Sequence, residues 1–254
     1  MFFDTHCHLD VHEFDVDRAA VLERAAAARV TRILNPAYDI ESSRRALTLA
    51  QQNDHVIAAV GIHPDNLAAM NEESLAQLWI LAKQPKVVAI GEIGLDYHWN
   101  TFSHEIQHAW FVQQLNMAQQ LNLPVIIHCR EGYDDMLDIL STVQPRVGIL
   151  LHSFAGDIAQ AERALKMGCM FGIGGPVTYK NADELRRVVA QTPLERTVLE
   201  TDAPYLPPHP YRGKRNEPGF LPLTADRLAA LHNMSIEEVA HTTTANAIRF
   251  FGLT

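Results

Sequence analysis

Apolar runs rich in β-branched residues recur along the chain, and each is followed by a longer stretch whose apolar positions repeat at helical spacing. The runs predict strands over 2–6, 30–35, 56–62, 87–93, 124–128, 147–152, 169–173 and 197–201. The intervening stretches predict helices over 16–29, 40–52, 74–83, 104–121, 133–140, 158–167 and 181–190, with two more over 224–233 and 235–250. Most of them carry a charged or Gln-rich face, and several meet Pro or Gly shortly before the next strand, as helix stop signals do. Strands alternating with helices favour a parallel sheet. Eight such units favour a TIM (β/α)8 barrel over a doubly wound sheet, and a barrel takes about 250 residues in one piece. The chain has 254 residues and no composition break, so one domain over 1–254 is expected. The irregular region is 203–222, APYLPPHPYRGKRNEPGFLP. Its proline content predicts a long loop after the last strand rather than helix or central strand.

Composition narrows the class. Hydrophobic residues make up 47% and charged residues 20%, and the chain has no stretch of eighteen uninterrupted apolar residues, so a soluble core is expected and a membrane span is not. The opening MFFDTHCHLD lacks the basic and long apolar regions of a signal peptide. Cysteines number three, Cys7, Cys129 and Cys169, which suits a reduced, cytoplasmic protein better than a disulfide scaffold. A net charge of −9 argues against a broad basic face for coating nucleic acid. A local phosphate site stays open, because bound divalent ions add positive charge. The sequence does not fix the oligomeric state, and a monomer is compatible with it.

Candidate chemistry gathers at the ends of the predicted strands. His6 and His8 lie two apart in an extended run, which puts them on one face and turns Cys7 the other way. Glu92 ends the fourth run, His128 the fifth and His152 the sixth, and Asp202 follows the eighth. Barrel enzymes keep their active sites at that edge. Four histidines and two carboxylates on one rim are hard to explain as packing, since uncompensated buried charge costs several kcal/mol. His63 after the third strand is expected either to touch substrate or orient a ligand, or to be a hydrogen-bonded loop histidine. Asp96 is expected to be the carboxylate that holds a ligating histidine from behind. Arg130 follows the alternation of His128, and with Lys180, Arg212, Lys214 and Arg215 it is a candidate anion site. Tyr205 and Trp99 are candidates for stacking on bases. The Gly-rich Phe171–Gly175 run lacks dinucleotide-binding spacing and reads as close backbone approach. His12, His55, His104, His108, His232 and His241 receive no role.

With these residues in view the chain resembles the TatD family of metal-dependent deoxyribonucleases, among the amidohydrolase-like barrels. The resemblance runs through DTHCHLD, GIHPD, GEIGLDYH, PVIIHCRE, LHSFAGD, IGGPVTYKNA, PLERTVLETDAPYL, RGKRNEP and TTTANAIRFF. It implies two divalent ions. One would take His6, His8, Glu92 and Asp202, the other Glu92, His128 and His152, with Glu92 bridging. Trp99 and Ala155 are variants that bear on substrate choice rather than on the metals. Imidazole-rich ligation suits zinc first, with manganese, nickel, cobalt or magnesium as alternatives.

The function the resemblance implies is metal-assisted hydrolysis of DNA phosphodiesters, 3'-5' and exonucleolytic on single strands or ends, and Asp202 is the candidate to take the proton of the attacking water. Hydrolysis of a small amide, lactone or acyl ester, or of another small phosphoester, would use the same chemistry. A non-catalytic metal-binding protein is the reading from another class.

Overall fold

The computed structural model describes residues 1–99 and 101–253. Eight parallel strands stand in one sheet in the order of the chain: β1 (Phe2–Asp4), β2 (Val30–Pro36), β3 (Val56–Val60), β4 (Val87–Asp96), β5 (Val125–Arg130), β6 (Ile149–Leu151), β7 (Met170–Ile173) and β8 (Thr197–Leu199). The helices are α1 (Arg18–Ala27), α2 (Ile40–Gln52), α3 (Glu72–Ala82), α4 (His104–Leu121), α5 (Tyr133–Val143), α6 (Ile158–Lys166), α7 (Asp183–Gln191), α8 (Leu221–His232) and α9 (Ile236–Phe250). This is the (β/α)8 barrel fold. Contacts within the chain gather into two compact units, Met1–Asn35 with Ser153–Ala161 and Phe171–Thr254, and Pro36–His152 with Glu162–Met170.

In the first unit β8 lies against β1: Thr5 N–H donates to the Leu199 carbonyl at 3.0 Å, and the Thr5 hydroxyl reaches the same oxygen. Phe3, Leu9, Phe14, Ile33, Leu34 and Phe171 are fully buried around it. The second unit carries the register from β3 through β6 and buries Leu78, Ile90, Ile93, Leu95, Phe111 and Leu115. Each such side chain contributes roughly 1.5–3 kcal/mol by leaving water.

Strand limits differ from the hydropathy pattern in both directions. β1, β3, β6 and β8 stop before His6, Ile62, His152 and Thr201, whereas β4 and β5 run on to Asp96 and Arg130. Hydropathy reports burial, and burial continues past the last ladder bond. The segment beyond β1 still pairs in extended form, with a parallel bridge between Cys7 and Ala203, so the alternation that turns His6 and His8 one way persists. The proline-rich loop is shorter than expected: Pro218–Phe220 forms a 3-10 turn and α8 opens at Leu221 with Pro222 in its first turn, where a missing N–H is harmless. Helix α3 starts two residues early because Asn71 and Ser74 form a reciprocal capping box.

The glutamines of α4 correct a further expectation. Gln107 and Gln114, two turns apart on one face, are buried rather than solvated. Gln107 accepts from the Asp96 N–H at 2.8 Å and donates to the Asp96 carbonyl at 2.9 Å. Gln114 does the same for Ile62, at 2.9 and 3.0 Å. Side-chain amides thus stand in for a neighbouring strand at Asp96 and at Ile62, whose backbone groups must be paired when buried.

Gly94 is the tightest close approach between β4 and β5. It pairs with His128, has φ +142°, and an added Cβ would overlap the His128 carbonyl oxygen. Gly94→Ala is expected to cost about 3 kcal/mol or more of stability. Gly168→Ala, at φ +80° with open space around it, should cost only about 1–2 kcal/mol. Thermal unfolding of the two variants checks this, and equal losses would contradict it.

Candidate metal centre

In the first unit, three donors converge where β1 and β8 end. The His6 and His8 Nε2 atoms are 3.3 Å apart, and Asp202 Oδ1 lies 3.7 Å from the first and 3.6 Å from the second. A tetrahedral ion with metal–nitrogen bonds of about 2.0–2.1 Å has ligand–ligand edges of roughly 3.3 Å, so this triangle has the dimensions of one face of such a site. His6 is fully buried and His8 nearly so.

The backbone holds that triangle. Asp202 N–H donates to the His6 carbonyl at 2.8 Å and His8 N–H to the Ala203 carbonyl at 2.8 Å, which cross-links the two strand ends on either side of the donors. Behind them the Asp4 carboxyl accepts from Thr201 N–H, the Thr201 hydroxyl and the His6 N–H. Burial pushes Asp4 up to about 8 against those hydrogen bonds. Asp202 itself sits at φ +57°, a left-handed conformation that aspartate adopts more readily than most residues.

In the second unit, imidazoles surround one carboxylate. Glu92 Oε1 lies 3.0 Å from His128 Nδ1, 3.1 Å from His152 Nε2 and 3.9 Å from His63 Nε2. Ligand atoms of His63, Glu92 and His128 all fall within 4.8 Å of one another, close enough to share an ion. Asp96 takes the expected place behind a ligand candidate: its Oδ2 is 2.9 Å from His128 Nε2, leaving Nδ1 for the site. Burial works to lower His128, but hydrogen bonds to Asp96 and Glu92 outweigh it and raise it to about 8. Burial likewise works to raise Asp96, and the bond from His128 holds it below its ordinary range.

His63 occupies the hydrogen-bonded loop position. Its Nδ1 accepts from the Asp65 N–H at 3.1 Å as the cap of the turn Pro64–Ala69, so the proton sits on Nε2, the nitrogen nearest Glu92. Burial, then the neighbouring His128, depresses its pKa to about 3. It is a neutral N–H donor.

The expected anion site divides. Arg130 is exposed, with its guanidinium 5.5 Å from the Trp99 ring. Arg212 lies 4.2 Å over the Tyr179 ring. Burial raises the Tyr179 phenol, Arg212 lowers it and Asp202 raises it again, so this ring is within electrostatic reach of the first donor set. Lys214 is exposed, and its N–H donates to the Tyr211 carbonyl. Arg215 does not join a phosphate site: it pairs with Asp17, donates to the Glu13 carbonyl and covers the Phe14 ring. Tyr205 stands at the first donor set, its ring centroid 5.9 Å from that of His8 and its N–H on the Asp202 carbonyl.

Sequence reasoning missed the supports. Glu200, fully buried at the end of β8, accepts from Ser153 N–H at 2.5 Å, directly after His152 in the chain. Gly172 leaves room for it, since an added Cβ would overlap the Glu200 carboxylate. Asn216 donates to the Thr201 and Tyr205 carbonyls and so frames the turn that carries Asp202. A charged residue inside the apolar VLETDAP run was the legible signal for Glu200; nothing comparable marked Asn216 within RGKRNEP.

Known proteins resemble this chain over its whole length. The family described as "TatD related DNase" matches residues 3–252. The uncharacterized metal-dependent hydrolase YabD of Bacillus subtilis is 43% identical over 99% of both chains. A protein of Erwinia amylovora named 3'-5' ssDNA/RNA exonuclease TatD is 37% identical over 99% of this chain and 100% of its own. The crystal structure of the TatD homologue YjjV of Escherichia coli superposes with a TM-score of 0.92 at 36% identity, covering 100% of this chain and 98% of that one. The chain therefore belongs to the TatD-related family and is a metal-dependent hydrolase of the class that acts on ester bonds.

Proposed function

We propose that the chain is a nuclease that hydrolyses DNA phosphodiester bonds at single strands or ends, 3'-5' and exonucleolytically, with two divalent ions, zinc first among them. The observation that carries this reading is the convergence of imidazole nitrogens on a carboxylate in each unit, at distances that suit cations. The relative named as an exonuclease supports the substrate. In this reading the whole chain, 1–254, works as one domain. His6, His8 and Asp202 would hold one ion and His128 and His152 the other, with Glu92 as the ligand they would share.

When bound, the ions lower the pKa of a water towards neutrality and neutralise charge on the phosphoryl oxygens. Asp202 accepts the proton from the attacking water. His63 donates its Nε2–H to the substrate or to a ligand carboxylate, and being neutral it does so without repelling the cations. Asp96 keeps the His128 lone pair aimed inward. Arg130, Arg212 and Lys214 supply local positive charge for phosphates on a chain whose net charge is −9, and Tyr205 borders the reacting group. The three cysteines are buried and none is in a disulfide, which suits a reducing compartment, and we assign the cytoplasm. Among the described residues no helix is long and apolar enough to cross a membrane.

Metal analysis joined to a hydrolysis assay tests the reading. The protein should bind about two ions per chain and lose phosphodiester hydrolysis on chelation, regaining it with metal. Asp202→Asn should abolish turnover yet keep much of the metal, and near-normal turnover in a folded variant would remove Asp202 from the base role. Asp96→Asn should weaken metal binding by about 10–100-fold, read by competition with a chelating dye, while unaltered affinity would show that Asp96 does not orient His128. Cleavage of single-stranded DNA should fall steeply as salt rises. Salt-independent turnover would point instead to a small neutral substrate.

A further inference from the structure

Trp99 is the exposed aromatic of the second unit, with 63% of its surface open, yet it is not loosely held. Asp96 Oδ1 accepts from the N–H groups of both His98 and Trp99, at 2.9 and 3.2 Å. His98 is anchored in turn by Glu131 at 2.7 Å, and its ring meets the indole edge to face at 4.9 Å. The preceding Tyr97 is turned inward: its hydroxyl donates to Asp135 at 2.7 Å and lies 2.5 Å from His108, while its ring stacks on His104. The turn is therefore braced on both sides, and the indole is what it displays.

The other oxygen of Asp96 accepts from His128. One carboxylate thus braces both a metal-ligand candidate and the turn that carries the indole. An indole is a large flat surface suited to stacking on another ring, and a braced turn presents it with little further ordering to do. The cation beside it, Arg130, marks the partner as aromatic and anionic together. A nucleotide has that chemistry.

Resting on the nuclease reading above, we propose that Trp99 and Arg130 form a nucleotide subsite next to the scissile phosphate, the indole stacking on an unpaired base and the guanidinium meeting its phosphate. Stacking requires a bare ring face, which a base within a duplex does not offer, and it gains with ring area. The enzyme is therefore selective for single strands, indifferent to base-pairing edges, and prefers a purine to a pyrimidine at this position.

The test uses Trp99 as its own reporter. Trp79 and Trp110 are replaced by phenylalanine, leaving one indole of the three, in the Asp202→Asn background with metal bound. Its emission should be quenched saturably by a short oligo-dA, more weakly by oligo-dT, and not by a blunt duplex. In the active enzyme Trp99→Ala should raise KM for a dA-ended strand roughly tenfold or more with metal content intact, and Trp99→Phe should lie between. A terminal abasic nucleotide should raise the KM of the unaltered enzyme comparably. Absence of quenching, or a Trp99→Ala KM within about twofold of the unaltered protein, overturns the subsite. If the metal-loaded protein cleaves no phosphodiester at all, the nuclease reading falls, and the quenching titration alone then decides whether the subsite stands.

Discussion

An imidazole nitrogen approaching a buried carboxylate is the interaction on which this structure turns. Glu92 has two of them within 3.1 Å of one oxygen, and Asp202 faces two more within 3.7 Å of one of its own. Such groups are expensive to remove from water, and a cluster of them repels or neutralises itself unless a cation is supplied. The cost is spread over supporting groups: Asp4 behind His6, Asp96 behind His128, and Glu200 on the backbone after His152.

Those supports also explain why the strands end where they do. At the C-terminal edge the ladder gives way to side chains that imitate it, as Gln107 and Gln114 do for Asp96 and Ile62. Each substitution frees the next residues from strand geometry while keeping their backbone polar groups paired. His63 follows Ile62 and the Trp99 turn follows Asp96, so the same device places a neutral donor and an exposed indole. Rigidity in the helix layer becomes precision at the loops.

The fold was legible because strand and helix periods differ and alternate cleanly eight times. The ligand candidates were legible because histidine and carboxylate at the ends of apolar runs are costly residues in costly places. What stayed hidden depends on partners distant in sequence. Gln107 and Gln114 look like a solvated face until the backbone groups they meet are known. Arg215 reads as one more cation of RGKR, yet Asp17, nearly two hundred residues earlier, claims it. Asn216 in the same motif carries no charge and frames the Asp202 turn. In the loop 203–222, Pro218 and Pro222 read as helix breakers, and position alone made them helix starters.

The central claim is that six side chains hold two cations. Anomalous diffraction from crystals of the zinc-loaded protein, collected on both sides of the zinc edge, tests it most directly. The account predicts two peaks, one against His6, His8 and Asp202 and the other against His128, His152 and Glu92. Peaks bound elsewhere, or none at these residues, would contradict it.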